Sequence, residues 1–118
     1  MGRVLALADD LFFRAKIIET ARQVGVELAC FATPQDLVDE ALAKPPALVV
    51  IDLNAANDPL HAVEQLGRGN STPLIAFLSH VQTDLAERAR QAGCTEVMPR
   101  SQFSKELPNI LARAKIAQ

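Results

Sequence analysis

Five short apolar runs divide the chain, and none of them alternates cleanly between apolar and polar residues. A strand with one solvated face alternates, whereas a strand buried on both faces is apolar throughout. The runs are therefore predicted to be strands of a parallel sheet that is covered on both sides. They are Val4 to Ala8, Val26 to Phe31, Ala47 to Ile51, Leu74 to Leu78 and Glu96 to Met98.

The segments between the runs carry apolar residues three or four positions apart, which is helical spacing. Gly25 is predicted to end the first helix, because glycine readily adopts the left-handed backbone that follows a helix. Thr33 and Pro34 are predicted to begin the second helix as a cap and a first-turn proline. The Pro45-Pro46 pair closes that helix.

Prolines and glycines bear on the limits of two helices. Pro59 is a possible start for the third helix, and Gly67 and Gly69 leave it short. Pro108 fits the last helix if that helix begins near Ser104, because the first-turn N–H groups of a helix have no internal partner.

Alternating strands and helices of these lengths predict parallel strands joined by right-handed crossovers. The expected fold is α/β, a doubly wound five-stranded parallel sheet of the flavodoxin-like (βα)5 type. With 118 residues and 49% apolar content, residues 1–118 are expected to form a single domain with one core region.

Composition excludes several classes of partner. Twelve basic and fourteen acidic residues give a net charge of −2 without a basic run, and Trp and Tyr are absent. Direct binding to nucleic acid is therefore not expected. No apolar stretch approaches a membrane span of about 20 residues, which favours a cytoplasmic protein. Cys30 and Cys94 lack metal or redox spacing and are expected to be reduced.

Polar residues follow four of the five predicted strands. Asp9 and Asp10 follow the first, Asp52 ends the third, Ser79 ends the fourth and Arg100 follows the fifth. Ligands of doubly wound sheets bind at this carboxyl edge. Three carboxylates gathered there repel one another unless a cation lies between them, and hard oxygen ligands suit Mg²⁺.

A carboxylate beside such a metal ion can act as a nucleophile toward phosphorus, since aspartyl phosphates are a known type of covalent intermediate. The metal ion and a basic side chain would offset the charge that gathers on the phosphoryl oxygens. These residue types therefore indicate a site for phosphoryl transfer.

The same residues carry a resemblance that spans the whole chain. The chain resembles the receiver domains of response regulators in two-component signalling, which implies the strand order 2-1-3-4-5. The matching segments are Ala8-Asp9-Asp10, Val49-Val50-Ile51-Asp52-Leu53-Asn54, Phe77-Leu78-Ser79 and Ala92-Gly93-Cys94-Thr95-Glu96-Val97-Met98-Pro99-Arg100.

The resemblance implies a role for each site residue. Asp52 would accept a phosphoryl group from a histidine kinase or a phosphotransfer protein. Asp9, Asp10, Asp52 and the backbone carbonyl of Asn54 would hold Mg²⁺, and Ser79 would bind the phosphoryl group.

Four features depart from the family pattern. Arg100-Ser101 stands where the family has lysine and proline, and arginine preserves the charge with a different geometry. His80 replaces a small residue, and Val97 replaces a frequent aromatic residue that reports phosphorylation. The loop from Ala55 to Pro59 also lacks the family's Met-Pro and Asp-Gly elements. The chain thus resembles a divergent receiver.

Simpler roles are available for several of these residues. Asp9 and Asp10 are plausible caps at a helix N-terminus, Ser79 is a plausible cap of the following helix, and Arg100 can form an ion pair with Asp52 without any activity. The Phe12-Phe13 pair is expected to be core. No catalytic role is assigned to His61 or His80, since adjacent strand residues such as Ser79 and His80 point to opposite faces.

Three functions remain open from the sequence. The first is a phospho-accepting receiver, a regulatory domain rather than an enzyme, with at most Mg²⁺-dependent self-phosphorylation and dephosphorylation. The second is a pseudo-receiver that docks proteins independently of phosphorylation. The third, a flavodoxin-like enzyme, is disfavoured because no glycine-rich loop follows the first strand. The resemblance alone implies that an effector or a homodimer would use the face of Val81 to Arg90, Thr95 to Met98 and the last helix.

Overall fold

The computed structural model describes residues 2–67 and 71–116, in which five strands and five helices alternate. The elements are β1 (Arg3–Leu7), α1 (Leu11–Val24), β2 (Glu27–Phe31), α2 (Pro34–Ala43), β3 (Leu48–Asp52), α3 (Pro59–Gly67), β4 (Leu74–Leu78), α4 (Thr83–Ala92), β5 (Glu96–Pro99) and α5 (Arg100–Ile116).

All strand pairs are parallel, and the sheet has the order β2-β1-β3-β4-β5. This confirms the predicted doubly wound fold and the strand order that the resemblance implies. Alternate residues of the central strands pack into two cores rather than the one core region expected, because successive side chains of a strand point to opposite faces of the sheet. Val4 and Ala6 pack with α1 and α5, whereas Leu5 and Leu7 pack with α2, α3 and α4.

The predicted helix limits at α1 and α2 are confirmed. Gly25 follows α1 with φ 88°, a left-handed conformation that costs glycine little. Thr33 caps α2 by accepting a hydrogen bond from the backbone N–H of Asp36. The third helix forms from Pro59 to Gly67, whereas Gly69 lies outside the described residues.

The prediction that the last helix begins near Ser104 is wrong. Helix α5 begins at Arg100, and Pro108 is the ninth residue of its 17. The earlier start places Phe103 in the helix, fully buried and stacked on Phe77 with ring centroids 4.3 Å apart. Burial of a phenylalanine side chain contributes about 1.5–3 kcal/mol, which offsets a cost of about 3 kcal/mol for an interior proline.

The ends of α3 and α4 meet at two glycines. A Cβ atom on Gly93 would lie 2.7 Å from Gly67 Cα, closer than real contacts allow. Gly93 also has φ 122°, which side chains rarely adopt. Both positions therefore require glycine. No helix in residues 2–67 and 71–116 is long and apolar enough to cross a bilayer.

Candidate functional site

Asp52 is the last residue of β3, and its position at the carboxyl edge of the sheet is the predicted one. Only 1% of the residue is exposed, and it is the one buried polar or charged residue of the described chain. Burial raises the pKa of its carboxyl group, because it penalises the charged form. The backbone N–H of Asn54 and the guanidinium of Arg100 oppose that rise, and the charge of Asp9 adds to it.

Each carboxylate oxygen of Asp52 accepts one hydrogen bond. The backbone N–H of Asn54 donates to Oδ1 over 2.8 Å, and Arg100 Nη2 donates to Oδ2 over 3.2 Å. The predicted ion pair between Arg100 and Asp52 is therefore present. The buried negative charge of Asp52 is therefore partly compensated by these two donors.

The guanidinium of Arg100 also lies over two aromatic rings. Its Cζ atom is 4.8 Å from the centroid of Phe13 and 5.2 Å from that of Phe77, within the range of cation–π attraction. Phe13 is half-buried against the α1–α5 core, as expected. Phe12 is 90% exposed, so its assignment to the core is wrong. Phe12 lies on the outward face of α1. Two adjacent phenylalanines in the sequence do not show which of them faces the core.

Asp9 and Asp10 lie at the same edge and are exposed. Asp10 caps α1, its Oδ1 accepting hydrogen bonds from the backbone N–H groups of Phe12 (2.9 Å) and Phe13 (3.1 Å). Asp9 Oδ2 accepts a hydrogen bond from the backbone N–H of Ala56 over 2.9 Å. The capping alternative is therefore correct for Asp10, whereas Asp9 stabilises the loop after β3.

The donor types at this edge fit Mg²⁺. Asp9 and Asp10 each keep one carboxylate oxygen without a hydrogen bond to the described part of the chain. Hard oxygens of this kind are the ligands that Mg²⁺ prefers. Within residues 2–67 and 71–116, however, no three His, Cys, Asp or Glu side chains are gathered closely enough to hold a metal ion. The metal site remains a prediction.

A hydrogen-bonded network joins the loop after β3 to the loop after β4. The side-chain oxygen of Asn54 accepts from the backbone N–H of Ser79 over 2.9 Å, and its amide donates to Gln82 Oε1 over 2.6 Å. The Ser79 N–H also lies 3.2 Å from Gln82 Oε1. Ser79 therefore lies at the rim beside Asp52's loop, although it is not the cap of α4, since Gln82 directly precedes that helix.

Gln82 was absent from the residues singled out in the sequence. A glutamine four positions after a strand end has no distinctive pattern, and its part in the network depends on how the two loops fold. Its side chain links Asn54 and Ser79, which fixes both loops at the edge of the site.

Two cavities adjoin this edge. The larger, of about 490 Å³, is lined by Arg100, Ser79, His80 and Phe13, with Leu78, Pro99, Ser101 and Ser104 completing the wall. The smaller, of about 150 Å³, lies beside Val97 under the start of α4. His61 lies away from this edge, on the exposed side of α3 near Glu64.

The comparisons with known proteins agree with this fold. No family model matches the chain. The transcriptional regulatory protein PdtaR of Mycobacterium tuberculosis is 31% identical over 93 residues, which cover 77% of this chain and 45% of PdtaR. The chain thus spans less than half the length of the curated relative that it matches.

Solved receiver domains superimpose on nearly the whole chain. The chemotaxis response regulator CheY4 of Vibrio cholerae has a TM-score of 0.83 at 18% identity, covering 97% of this chain and 98% of CheY4. The receiver domain of the sensor histidine kinase PA1611 from Pseudomonas aeruginosa PAO1 has a TM-score of 0.80 at 20% identity, with 96% of each chain covered. That structure has a magnesium ion in its active-site cleft.

These findings show which proteins the chain resembles. Its strand order and fold are those of receiver domains. Its sequence is similar to that of the transcriptional regulatory protein PdtaR over 93 residues.

Proposed function

We propose that the chain is a receiver module in which Asp52 accepts a phosphoryl group from a histidine kinase or a phosphotransfer protein. The observation that carries the proposal is the burial of the Asp52 carboxylate at the end of β3, on the edge where ligands of such sheets bind. Burying a charged group costs stability unless it is paired and hydrogen-bonded, and perturbed groups of this kind concentrate at functional sites.

The transfer would use the side chains at this edge as follows. A carboxylate oxygen of Asp52 forms a bond to phosphorus while the bond between phosphorus and the donor's imidazole nitrogen breaks, and the imidazole keeps that electron pair and takes up a proton. Arg100 leaves Asp52 and pairs with the phosphoryl oxygens, for which its planar group is suited. The Ser79 hydroxyl donates to another of these oxygens. Mg²⁺, held by Asp9, Asp10, Asp52 and the Asn54 carbonyl, would supply positive charge beside the phosphoryl group.

The second candidate is a pseudo-receiver that acts as a docking or adaptor module without phosphorylation. The Arg100–Asp52 ion pair favours it, because this pair occupies the acceptor oxygen. The network of Asn54, Ser79 and Gln82 favours it too, because it holds both loops in one arrangement. In both candidates the chain is a regulatory domain rather than an enzyme.

Location and partners are part of the same proposal. A chain that receives its signal from a histidine kinase or a phosphotransfer protein would act in the cytoplasm, without direct contact with nucleic acid or the membrane. An effector protein or a second copy of the chain would bind the face formed by α4, β5 and α5.

The test is incubation of the chain with acetyl phosphate and Mg²⁺, followed by intact-mass measurement. One added phosphoryl group on the parent and none on Asp52→Asn is the expected result. Asp58→Asn is the matched control and should gain the phosphoryl group as the parent does, since Asp58 is an exposed acid in the loop after β3 and not the proposed acceptor. If neither the parent nor Arg100→Lys gains mass, phospho-acceptance is overturned and the adaptor role stands.

A further inference from the structure

Arg100 is held on one side by charge and on the other by aromatic rings. Its side chain is 36% exposed, and a single hydrogen bond of 3.2 Å joins it to Asp52. An arginine with one such bond and this exposure has several accessible rotamers, because its long side chain loses considerable entropy when fixed. The ion pair alone is thus a weak restraint.

The rings supply the second restraint. Phe77 and Phe103 stack with centroids 4.3 Å apart, and Phe13 lies 5.0 Å from Phe77 and 5.9 Å from Phe103. Phe77 and Phe103 are fully buried, so the cluster is rigid. The guanidinium lies over the rings of Phe13 and Phe77 and not over that of Phe103.

This arrangement suits a guanidinium better than an ammonium. A guanidinium is flat, weakly hydrated and able to stack on a ring while its N–H groups point sideways to a carboxylate. An ammonium is compact and strongly hydrated, so placing it against two apolar rings removes more water. The aromatic cluster therefore accounts for the arginine at a position where the resemblance implies lysine.

We infer that Phe13 is a positioning residue: together with Phe77 it forms a seat for the guanidinium of Arg100 and thereby holds Arg100 on Asp52. Phe13 touches neither Asp52 nor a transferred group, and it acts only through Arg100. The seat sets how readily Arg100 leaves the acceptor oxygen. The part of this inference that concerns phosphorylation rests on the proposed function, whereas the seat itself does not.

The first experiment measures the seat directly. Rotation of the Arg100 guanidinium about its Nε–Cζ bond is followed by NMR in the full chain without phosphodonor or metal ion. Phe13→Leu is expected to speed this rotation roughly three- to tenfold, the range that a lost cation–π contact implies. Phe13→Tyr keeps a ring face and is expected to restore the parent rate.

Phe103→Leu is the matched control. It removes a ring from the same cluster without removing a ring under the guanidinium, so the Arg100 rotation rate is expected to stay at the parent value. An unchanged rate in Phe13→Leu overturns the inference. An equal increase in Phe103→Leu overturns it too, because the effect would then come from general loosening of the core.

The second experiment measures the consequence at Asp52. With acetyl phosphate and Mg²⁺, Phe13→Leu is expected to raise the rate of phosphoryl addition by a similar factor, and to have no effect when Arg100→Ala is also present. An effect of Phe13→Leu that persists without Arg100 overturns the positioning role. If no variant is phosphorylated, the proposed function fails, while the rotation measurement still decides whether the seat exists.

Discussion

At the scale of single residues, Asp52 combines a structural cost with a proposed chemical use. Its carboxyl group is buried, and this burial outweighs the donors from Asn54 and Arg100 in setting the direction of its pKa shift. A folded-state pKa above the unfolded value means that the folded chain binds a proton more readily. The stability linked to this group is therefore fully present below the unfolded pKa and is lost as pH rises through the folded pKa.

Asp52→Asn is accordingly expected to stabilise the fold at neutral pH. The substitution removes the buried charge, and the loss of its partner is tolerable for Arg100 because that side chain is about a third exposed. The measurement is the difference in melting temperature between variant and parent across a pH series. The difference should grow as pH rises from the ordinary carboxyl pKa of 3.8. A constant difference, or a less stable variant at pH 7, contradicts the assignment.

Cys94 offers a second residue-scale prediction. Burial raises the pKa of its thiol to about 12, so at pH 8 almost none of the reactive thiolate is present. We expect iodoacetamide at pH 8 to modify Cys94 only after unfolding. Cys30 is the internal control: it is half-buried, and Arg14 opposes the rise in its thiol pKa, so it should react earlier. Equal rates at the two cysteines in the folded chain count against this prediction.

The sequence predicted part of the site at this scale. Asp52 and Arg100 were found because a charged residue at the end of an apolar strand has a defined place in a parallel sheet. Gln82 and the ring contact of Phe13 were missed, because they depend on loop paths and on packing across the α1–α5 core. No spacing rule along the chain encodes either contact.

At the scale of elements, sequence patterns located every strand, and the largest error was the start of α5. Because proline is tolerated in the first turn of a helix, Pro108 led to the prediction that the helix starts near Ser104. The burial of Phe103 against Phe77 is a long-range contact that local reasoning does not see. The packing of Phe103 therefore stabilises the first turn of α5, although this start places Pro108 in the helix interior, where proline is disfavoured.

Pro108→Ala tests this explanation. Pro108 is exposed and lies inside α5, where it lacks the N–H that would donate to the carbonyl of Ser104. Alanine restores that donor and removes the ring clash, so the free energy of unfolding in urea is expected to rise by up to about 3 kcal/mol. Asn109→Ala is the matched control at the next exposed position, with a gain of only a few tenths of a kcal/mol from helix propensity. A Pro108→Ala gain no larger than the control's contradicts a helix-breaking cost here.

At the scale of the whole molecule, the sheet brings the ends of β1, β3, β4 and β5 to one edge, and this topology was predictable from the alternation of elements. Whether that edge communicates with the α4–β5–α5 face depends on side chains between them. Val97 lies on this path, half-buried against the core beside α4 and next to the cavity of about 150 Å³. A packed core transmits change only through parts that have two discrete arrangements.

Val97 offers little contrast between two arrangements, because a small branched side chain fills almost the same volume in each rotamer. We therefore expect a beryllium fluoride complex at Asp52, formed with Mg²⁺, to alter amide exchange only around Asp10, Asp52 and Ser79. Hydrogen exchange with and without the complex measures this. Val97→Phe is the matched variant, since Val97 lines the adjoining cavity of about 150 Å³ and a ring differs more in the space it fills between two rotamers than valine does. In that variant the changes should extend along α4 and β5, whereas equally wide changes in the parent would show that Val97 is not the limiting element.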